Sequence, residues 1–256
     1  MQHTMPYLSI PIMRKFDTSL LACCLIGAVL AGCSPAVDPM TTRDPIEPFN
    51  RQVHAFNRGF DKMALRPVAV STKGNGEGAK RISDFSANLG KPADILNNLL
   101  QLRLVKASEN TLRFGMNTIF GLGGLFDVAT AAGMPANDTD FGETLHIWGF
   151  GEGTYLEVPF MGPSTTRDLA GTIVDVVIDP VNTLNRDQVL GVAGVKLAAK
   201  VADRGRYSDF IDSVLYESAD SYAQARLLYL QNRRHQLGQD ADDAGFVDPY
   251  EDPYAE

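Results

Sequence analysis

Cysteine is nearly missing from this chain. The three that occur, Cys23, Cys24 and Cys33, all lie near the N-terminus, so nothing beyond residue 33 can form a disulfide or a thiolate metal site. Catalytic signatures are missing too: there is no G-x-S-x-G elbow and no H-E-x-x-H helix. Beyond His3, histidine is limited to His54, His146 and His235. Glu143 and His146 are spaced as Glu-x-x-His, but a di-iron bundle needs two such pairs and two more glutamates, so this one reads as a polar helix face. Gly74 to Lys80 (GNGEGAK) fails the phosphate-loop spacing, is followed by Arg81 rather than Ser or Thr, and reads as a flexible turn. Asp44, Asp127, Asp168 and Asp175 have no partner spacing that nominates them as acids or bases. The expectation is a non-enzyme without metal or cofactor.

Basic charge is also scarce. The formal net charge is −8. Seven acids and no Lys or Arg fall in residues 238–256, and the first 32 residues carry +1, which leaves about −2 for residues 33–237. A nearly neutral body argues against nucleic acid as a partner. The acidic end is expected to be a solvated, disordered tail.

What is present begins with Arg14 and Lys15, an apolar run from Leu20 to Leu30, and then Leu30-Ala31-Gly32-Cys33. Eleven residues of helix reach roughly 16 Å, short of the ~30 Å hydrocarbon core, so the run reads as a secretory signal rather than an anchor. Leu-Ala-Gly-Cys resembles a bacterial lipobox. That implies cleavage before Cys33, lipid on its thiol and, with Ser34 next, passage to the outer membrane. Two or three acyl chains hold a protein on a membrane essentially permanently. Translation from Met13 would give the same signal. The expected parts are a signal (1–32), a lipidated tether (33–43), a helical domain (44–237) and the acidic tail (238–256).

The body reads as all-α. Phe49, Val53, Phe56, Phe60 and Met63 recur at helical spacing, with Arg51, Arg58 and Asp61 off that face. Further helices are expected around Ile82–Leu89 (ending near Pro92), Ala93–Leu104, Val105–Met116, Thr165–Ile178, Leu190–Val201 and, as one long helix, Ile211–Tyr229. Tyr155 to Phe160 alternates like a strand, but Pro159 suggests an extended loop.

Two segments depart from this pattern. Phe114 to Asn137 holds 24 residues with one charge, Asp127. Gly121, Gly123 and Gly124 each cost about 1 kcal/mol inside a helix, and Asp127 is costly in hydrocarbon, so a spanning helix is disfavoured. Two readings remain: a glycine-bent hairpin exposing Ile119, Phe120, Leu122, Leu125 and Phe126, or a hairpin buried in the core. Trp148 to Gly153 is a second glycine-rich aromatic loop, suited either to a lipid interface or to a packed turn.

Several blocks together resemble the MlaA/VacJ lipoproteins. They are Asp44 to Arg51 with Phe56-Asn57; Arg66 to Ala69; Arg113 to Ala129; Phe141 to Leu145; Gly149 to Gly153; and Val158 to Ser164 with Arg167-Asp168. The resemblance implies helices arranged as a ring around an amphipathic channel in the inner leaflet of the outer membrane, beside a trimeric porin. It implies removal of mislocalised phospholipid from the outer leaflet. The lipid would pass to a periplasmic carrier serving an inner-membrane ABC system, which maintains lipid asymmetry. By position, Asn117 and Ile119 to Asp127 would form a gating hairpin, while Phe49, Asn50, Arg51, Phe56 and Asn57 would line or brace the ring. His54, Ala55 and Arg58 depart from the family pattern. The competing classes are a structural porin-associated lipoprotein and an outer-membrane cell-wall or ester hydrolase.

Overall fold

The computed structural model describes residues 44–72 and 76–239. The predicted signal, Cys33, the tether and the tail from residue 240 lie outside the described residues.

Helix α1 (Glu47–Phe60) carries Pro48 in its first turn, where the missing N–H has no helical partner to lose, and Glu47 pairs with Arg51 one turn on. A π-helical turn (Asp61–Leu65) leads into α2 (Arg66–Thr72). Then come α3 (Gly76–Leu100), α4 (Leu104–Ile119), a 3-10 turn (Leu122–Gly124) and the short α5 (Val128–Ala131) and α6 (Phe141–Ile147). Strands β1 (Tyr155–Val158) and β2 (Gly162–Thr165) precede α7 (Thr166–Ile178). The chain ends with α8 (Arg186–Arg206), α9 (Ser208–Asp212), a second π turn (Ser213–Glu217) and α10 (Ser221–Gln236). Side-chain caps begin many of these helices. Thr165 accepts from the Asp168 amide at α7, and Asn185 and Gln188 close a reciprocal capping box at α8.

Four expectations need correction. The all-α reading misses a hairpin: β1 and β2 pair antiparallel, Tyr155 opposite Thr165 and Val158 opposite Gly162. Pro159 sits just past β1, where the ladder does not need its N–H, and Phe160 (φ 63°) and Gly162 (φ 87°) carry the reversal. The two helices expected on either side of Pro92 are one, α3. Proline has no N–H for the Asn88 carbonyl and costs about 3 kcal/mol in a helix interior, a loss offset by packing of α3 against α4 and α8. The turn expected through Lys80 is already helical from Gly76; residues 73–75 lie outside the described residues. The long C-terminal helix is broken at Ser218, whose backbone is extended, and restarts at Asp220, which caps α10.

The interior is polar. After Tyr155, the largest side chains below 2 % exposure are Asn50, Asn88, Asn97, Asn98, Asn110, Thr144 and Thr165. Large apolar side chains instead face outward, among them Leu102 (83 %), Met63 (80 %) and Ile119 (72 %). A compact apolar cluster of Tyr155, Tyr222 and Leu230 survives where α10 meets the strands. Water-soluble proteins distribute these residue types the other way round. No helix among the described residues is long and apolar enough to cross a membrane.

Candidate functional site

The predicted hairpin forms as an exposed apolar tip on a polar base. Helix α4 ends at Ile119, and the turn runs through Leu122 (φ 53°), Gly123 (φ 77°) and Gly124 (φ 106°) before Asp127 caps α5. The amides of Gly124 and Phe126 both donate to the Gly121 carbonyl. Ile119, Phe120, Leu122, Leu125 and Phe126 are all exposed, so the core-hairpin reading is not the one adopted. The Arg81 guanidinium lies over the Phe126 ring at 4.4 Å.

Each glycine answers a separate demand. A Cβ on Gly121 would sit 2.2 Å from the Phe126 carbonyl oxygen, so backbone passes too close for any side chain. One on Gly124 would sit 2.4 Å from the Asn88 Cβ, on a backbone already left-handed. Gly123 has room around it but needs its positive φ.

The base is a dense hydrogen-bonded knot. Buried Arg113 donates through Nη2 to both Asp127 oxygens (3.1 Å each) and to Thr130 Oγ1, and through Nη1 to the Met134 carbonyl at 2.6 Å. Asn117 donates to Asp127 Oδ1 (3.0 Å) and accepts from the Ala129 amide (2.9 Å). Burial pushes the Asp127 pKa upward, but donors from Thr130 and Asn117 and the Arg113 charge outweigh it and hold the carboxyl at about 2. From α3, Asn88 reaches Thr118 Oγ1 (3.1 Å) and the Gly123 carbonyl (3.0 Å). Arg113 and Asn88 escaped sequence reasoning. Arg113 stands in an obvious block, yet nothing in its spacing from Asp127 announces an ion pair.

The N-terminal motif residues divide by face. Asn50 donates to the Tyr155 carbonyl (3.2 Å) and accepts from the Glu157 amide (3.0 Å). Two turns later Asn57 donates to the Val158 carbonyl (3.0 Å) and accepts from the Phe160 amide (2.8 Å). Two asparagines thus cover the open edge of β1 as a neighbouring strand would. Arg51 grips Asp220 with both terminal nitrogens. Phe49 and Phe56 are exposed, and Phe56 packs edge-on to Phe160. This motif does not touch the hairpin motif through any contact described above: one braces the strands and the other forms the apolar tip.

Two clefts share Thr172 of α7. One, of about 330 Å³, is lined by Asp140, Ser164, Asp168, Tyr229, Asn232 and Arg233 among others. The second, of about 260 Å³, includes Asp94, Asn97, Thr139, Asp175, Asp179 and Lys196. In the first, Arg233 bridges Asp140 (2.7 Å) and Asp168 (3.0 Å), and Tyr229 donates to Asp168 (2.7 Å). Burial would raise the Asp168 pKa; the charges of Arg167 and Arg233 lower it instead. In the second, burial pushes Asp94 up to about 6 despite Lys91, and raises Asp175 as well. Asp168 and Asp175 therefore take part as lining groups, a role that their spacing did not reveal.

One triad-like line exists. His54 Nδ1 faces Glu157 (3.2 Å) and its Nε2 faces Ser221 (3.0 Å). All three are buried, and none lines either cleft. Glu157 is further engaged by Tyr155 and Asn57, so the line reads as a clasp between α1, β1 and α10. Glu143 is held by Arg103 and Thr139, consistent with a polar helix face. Among the described residues no group of His, Asp or Glu is placed to hold a metal.

The pattern of the MlaA lipoprotein family matches residues 42–236. The intermembrane phospholipid transport system lipoprotein MlaA of Escherichia coli K12 is 33% identical over 247 residues, which span 93% of this chain and 94% of that protein. An uncharacterized protein of Rickettsia bellii is 37% identical over 194 residues, 74% of this chain and 75% of its own length. A solved structure from work on the structural basis for maintenance of bacterial outer membrane lipid asymmetry superposes with a TM-score of 0.66 at 31% identity. It covers 76% of this chain and 99% of that one.

Proposed function

The chain belongs to the MlaA lipoprotein family, and from this premise we propose that it transports phospholipid between membranes and so maintains outer-membrane lipid asymmetry. The observation that carries the reading is the inverted distribution of side chains: amides and ion pairs inside, Phe, Leu, Ile and Met outside. So many exposed apolar side chains ask for an apolar partner, and acyl chains of a leaflet supply it without any span. The polar interior, with its two clefts about Thr172, suits a headgroup. No bond is broken in such work, and the family is one of lipid transport rather than catalysis.

The finer picture is part of the same proposal. The helices surround an amphipathic channel, the hairpin from Asn117 to Asp127 gates its mouth, and Cys33 carries the lipid anchor at the periplasmic face of the outer membrane. Lipid leaves to a periplasmic carrier, and a trimeric porin sits alongside. Exposing acyl chains to water costs about 0.8 kcal/mol per methylene, tens of kcal/mol per lipid, so even partial shielding lowers the barrier greatly. Deleting the gene and restoring it in trans tests the reading. Phospholipid should accumulate at the cell surface on deletion and return to baseline on restoration. Unchanged surface phospholipid favours a purely structural role beside a porin, and turnover of a lipid or cell-wall ester by the purified protein favours a hydrolase.

A further inference from the structure

Helix α1 has three sectors, and their order defines a direction. At about 100° per residue, Asn50, Val53, His54 and Asn57 fall on one face, and all four are buried or half-buried against β1 and α10. Phe49, Phe56 and Phe60 fall to one side of that face. Arg51 and Arg58 fall to the other, roughly 160° from the aromatic edge by the same geometry. Ala55 and Gly59, with almost no side chain, lie between the two edges on the outer surface.

The basic edge continues past the helix. Through the π turn, in which the Arg66 amide bonds back to the Asp61 carbonyl, Lys62 and then Arg66 extend the row. The Tyr216 ring lies beside both Arg58 (5.7 Å to the ring centroid) and Arg66 (5.1 Å), which brings the two guanidiniums to one place. The carboxylates beneath are already matched: Asp61 is held by Arg204, and Asp212 is shared by Arg204 and Arg66. Arg58 and Lys62 are exposed and have no carboxylate partner among the described residues. They are surplus positive charge on a body that is otherwise slightly acidic.

We propose that Arg58 and Lys62, on the edge that Arg66 continues, bind the phosphates of a leaflet's headgroups while Phe49 and Phe56 on the opposite edge lie among its acyl chains. Helix α1 would thereby lie in the membrane plane and fix how deep, and which way up, the domain sits. A basic edge alone would fit an acidic protein equally well. An aromatic edge opposite it on the same helix is what a lipid interface demands, with cations at the phosphate level and rings below. The inference rests on the membrane placement given under Proposed function and adds to it the orientation and the groups that set it.

The chain has no cysteine after residue 33, so single-cysteine labelling of the full lipoprotein is clean. Fluorophores at Phe56→Cys and Lys62→Cys, with Phe49→Cys and Arg58→Cys as second sites on each edge, would be read in vesicles of phosphatidylethanolamine with a minority of phosphatidylglycerol. Lipids bearing a quencher at mid-chain should quench the aromatic-edge labels more strongly, and headgroup quenchers the basic-edge labels, so that the order reverses between edges. Equal depth for both edges overturns the proposal. Mid-chain quenching at 56 with no quenching at 62 overturns it alone and points to water or protein on the basic edge. No quenching at position 56 or 49 removes the membrane placement as well. In a second measurement, Arg58→Ala with Lys62→Ala should move a label at Phe56 toward mid-chain quenchers or loosen its depth; an unchanged profile counts against the phosphate contact.

Discussion

Two seams in this molecule are stitched with asparagine, and they differ in what they hold. Asn50 and Asn57 fasten α1 to the edge of β1: Asn50 satisfies a carbonyl and an amide of the strand, and Asn57 the Val158 carbonyl and the Phe160 amide just past its end. Asn88 and Asn117 fasten the hairpin, Asn88 at a turn with three successive positive-φ residues and Asn117 at the Ala129 amide of the helix that follows it. The first seam closes mostly on ordinary strand geometry, with a single left-handed residue, Phe160, at its end. The second closes on geometry that only its glycines, the Arg113–Asp127 pair and the Asn88 contact maintain. The same amide chemistry thus gives a brace in one place and a catch in the other. The proposed gating role would require such a catch.

The contrast can be attacked first through its ion pair. Arg113→Ala leaves Asp127 to Thr130 and Asn117 alone and the Met134 carbonyl without its guanidinium donor, and an unmet buried acceptor beside a half-buried charge costs about 3 kcal/mol. Chemical denaturation should report a loss of that order, the largest of those considered. If Arg113→Ala is no more disruptive than an exposed-pair change such as Lys80→Ala, the catch is not held by charge. Next, Asn50→Ala leaves the Tyr155 carbonyl and Glu157 amide unpaired and should cost about 1–3 kcal/mol. Lipid transfer by the folded fraction should be unaffected, because the brace does not move. Loss of transfer at full folding would merge the two seams.

Smaller effects sharpen the glycine argument. Gly123→Ala meets nothing closer than 3.6 Å, so only its φ of 77° is strained. The cost should be about 1–2 kcal/mol, whereas Gly121→Ala should displace the turn outright because its Cβ would collide with backbone. Hydrogen exchange of the Gly124 and Phe126 amides distinguishes them. The smallest effect is in pH. The folded pKa of Asp127 is depressed to about 2, so its contribution is present above the unfolded value near 4 and is lost as pH falls toward 2. Asp94 is raised to about 6, so its contribution is present below about 4 and is lost as pH rises through 6. Asp127→Asn should therefore flatten the acid limb of a stability profile, and Asp94→Asn the limb between pH 4 and 6.

Much of this was legible before any coordinates. Helical spacing located most helices of the body, though not the continuity of α3 through Pro92 or the break at Ser218, and the glycine run marked the hairpin. The faces were harder. Periodicity assumes that an apolar stripe points inward, but Phe49, Phe56 and Met63 point out, while Asn50, Asn57 and Asp61, off that stripe, point in. The rule fails because it presumes water as the only solvent. Pro159 hid the β-hairpin, since its position relative to the strand end is a matter of one residue. Partners such as Asn50 and Glu157 lie over a hundred residues apart, and no local pattern pairs them.

We propose that phospholipid passes where the hairpin yields. Gly123→Pro with Gly124→Pro demands a φ near −65° where both residues hold positive angles, so the turn cannot form. Transfer of labelled phospholipid from proteoliposomes to a periplasmic lipid carrier should stop in this variant while the protein stays on the membrane. Transfer at the wild-type rate would contradict the gate.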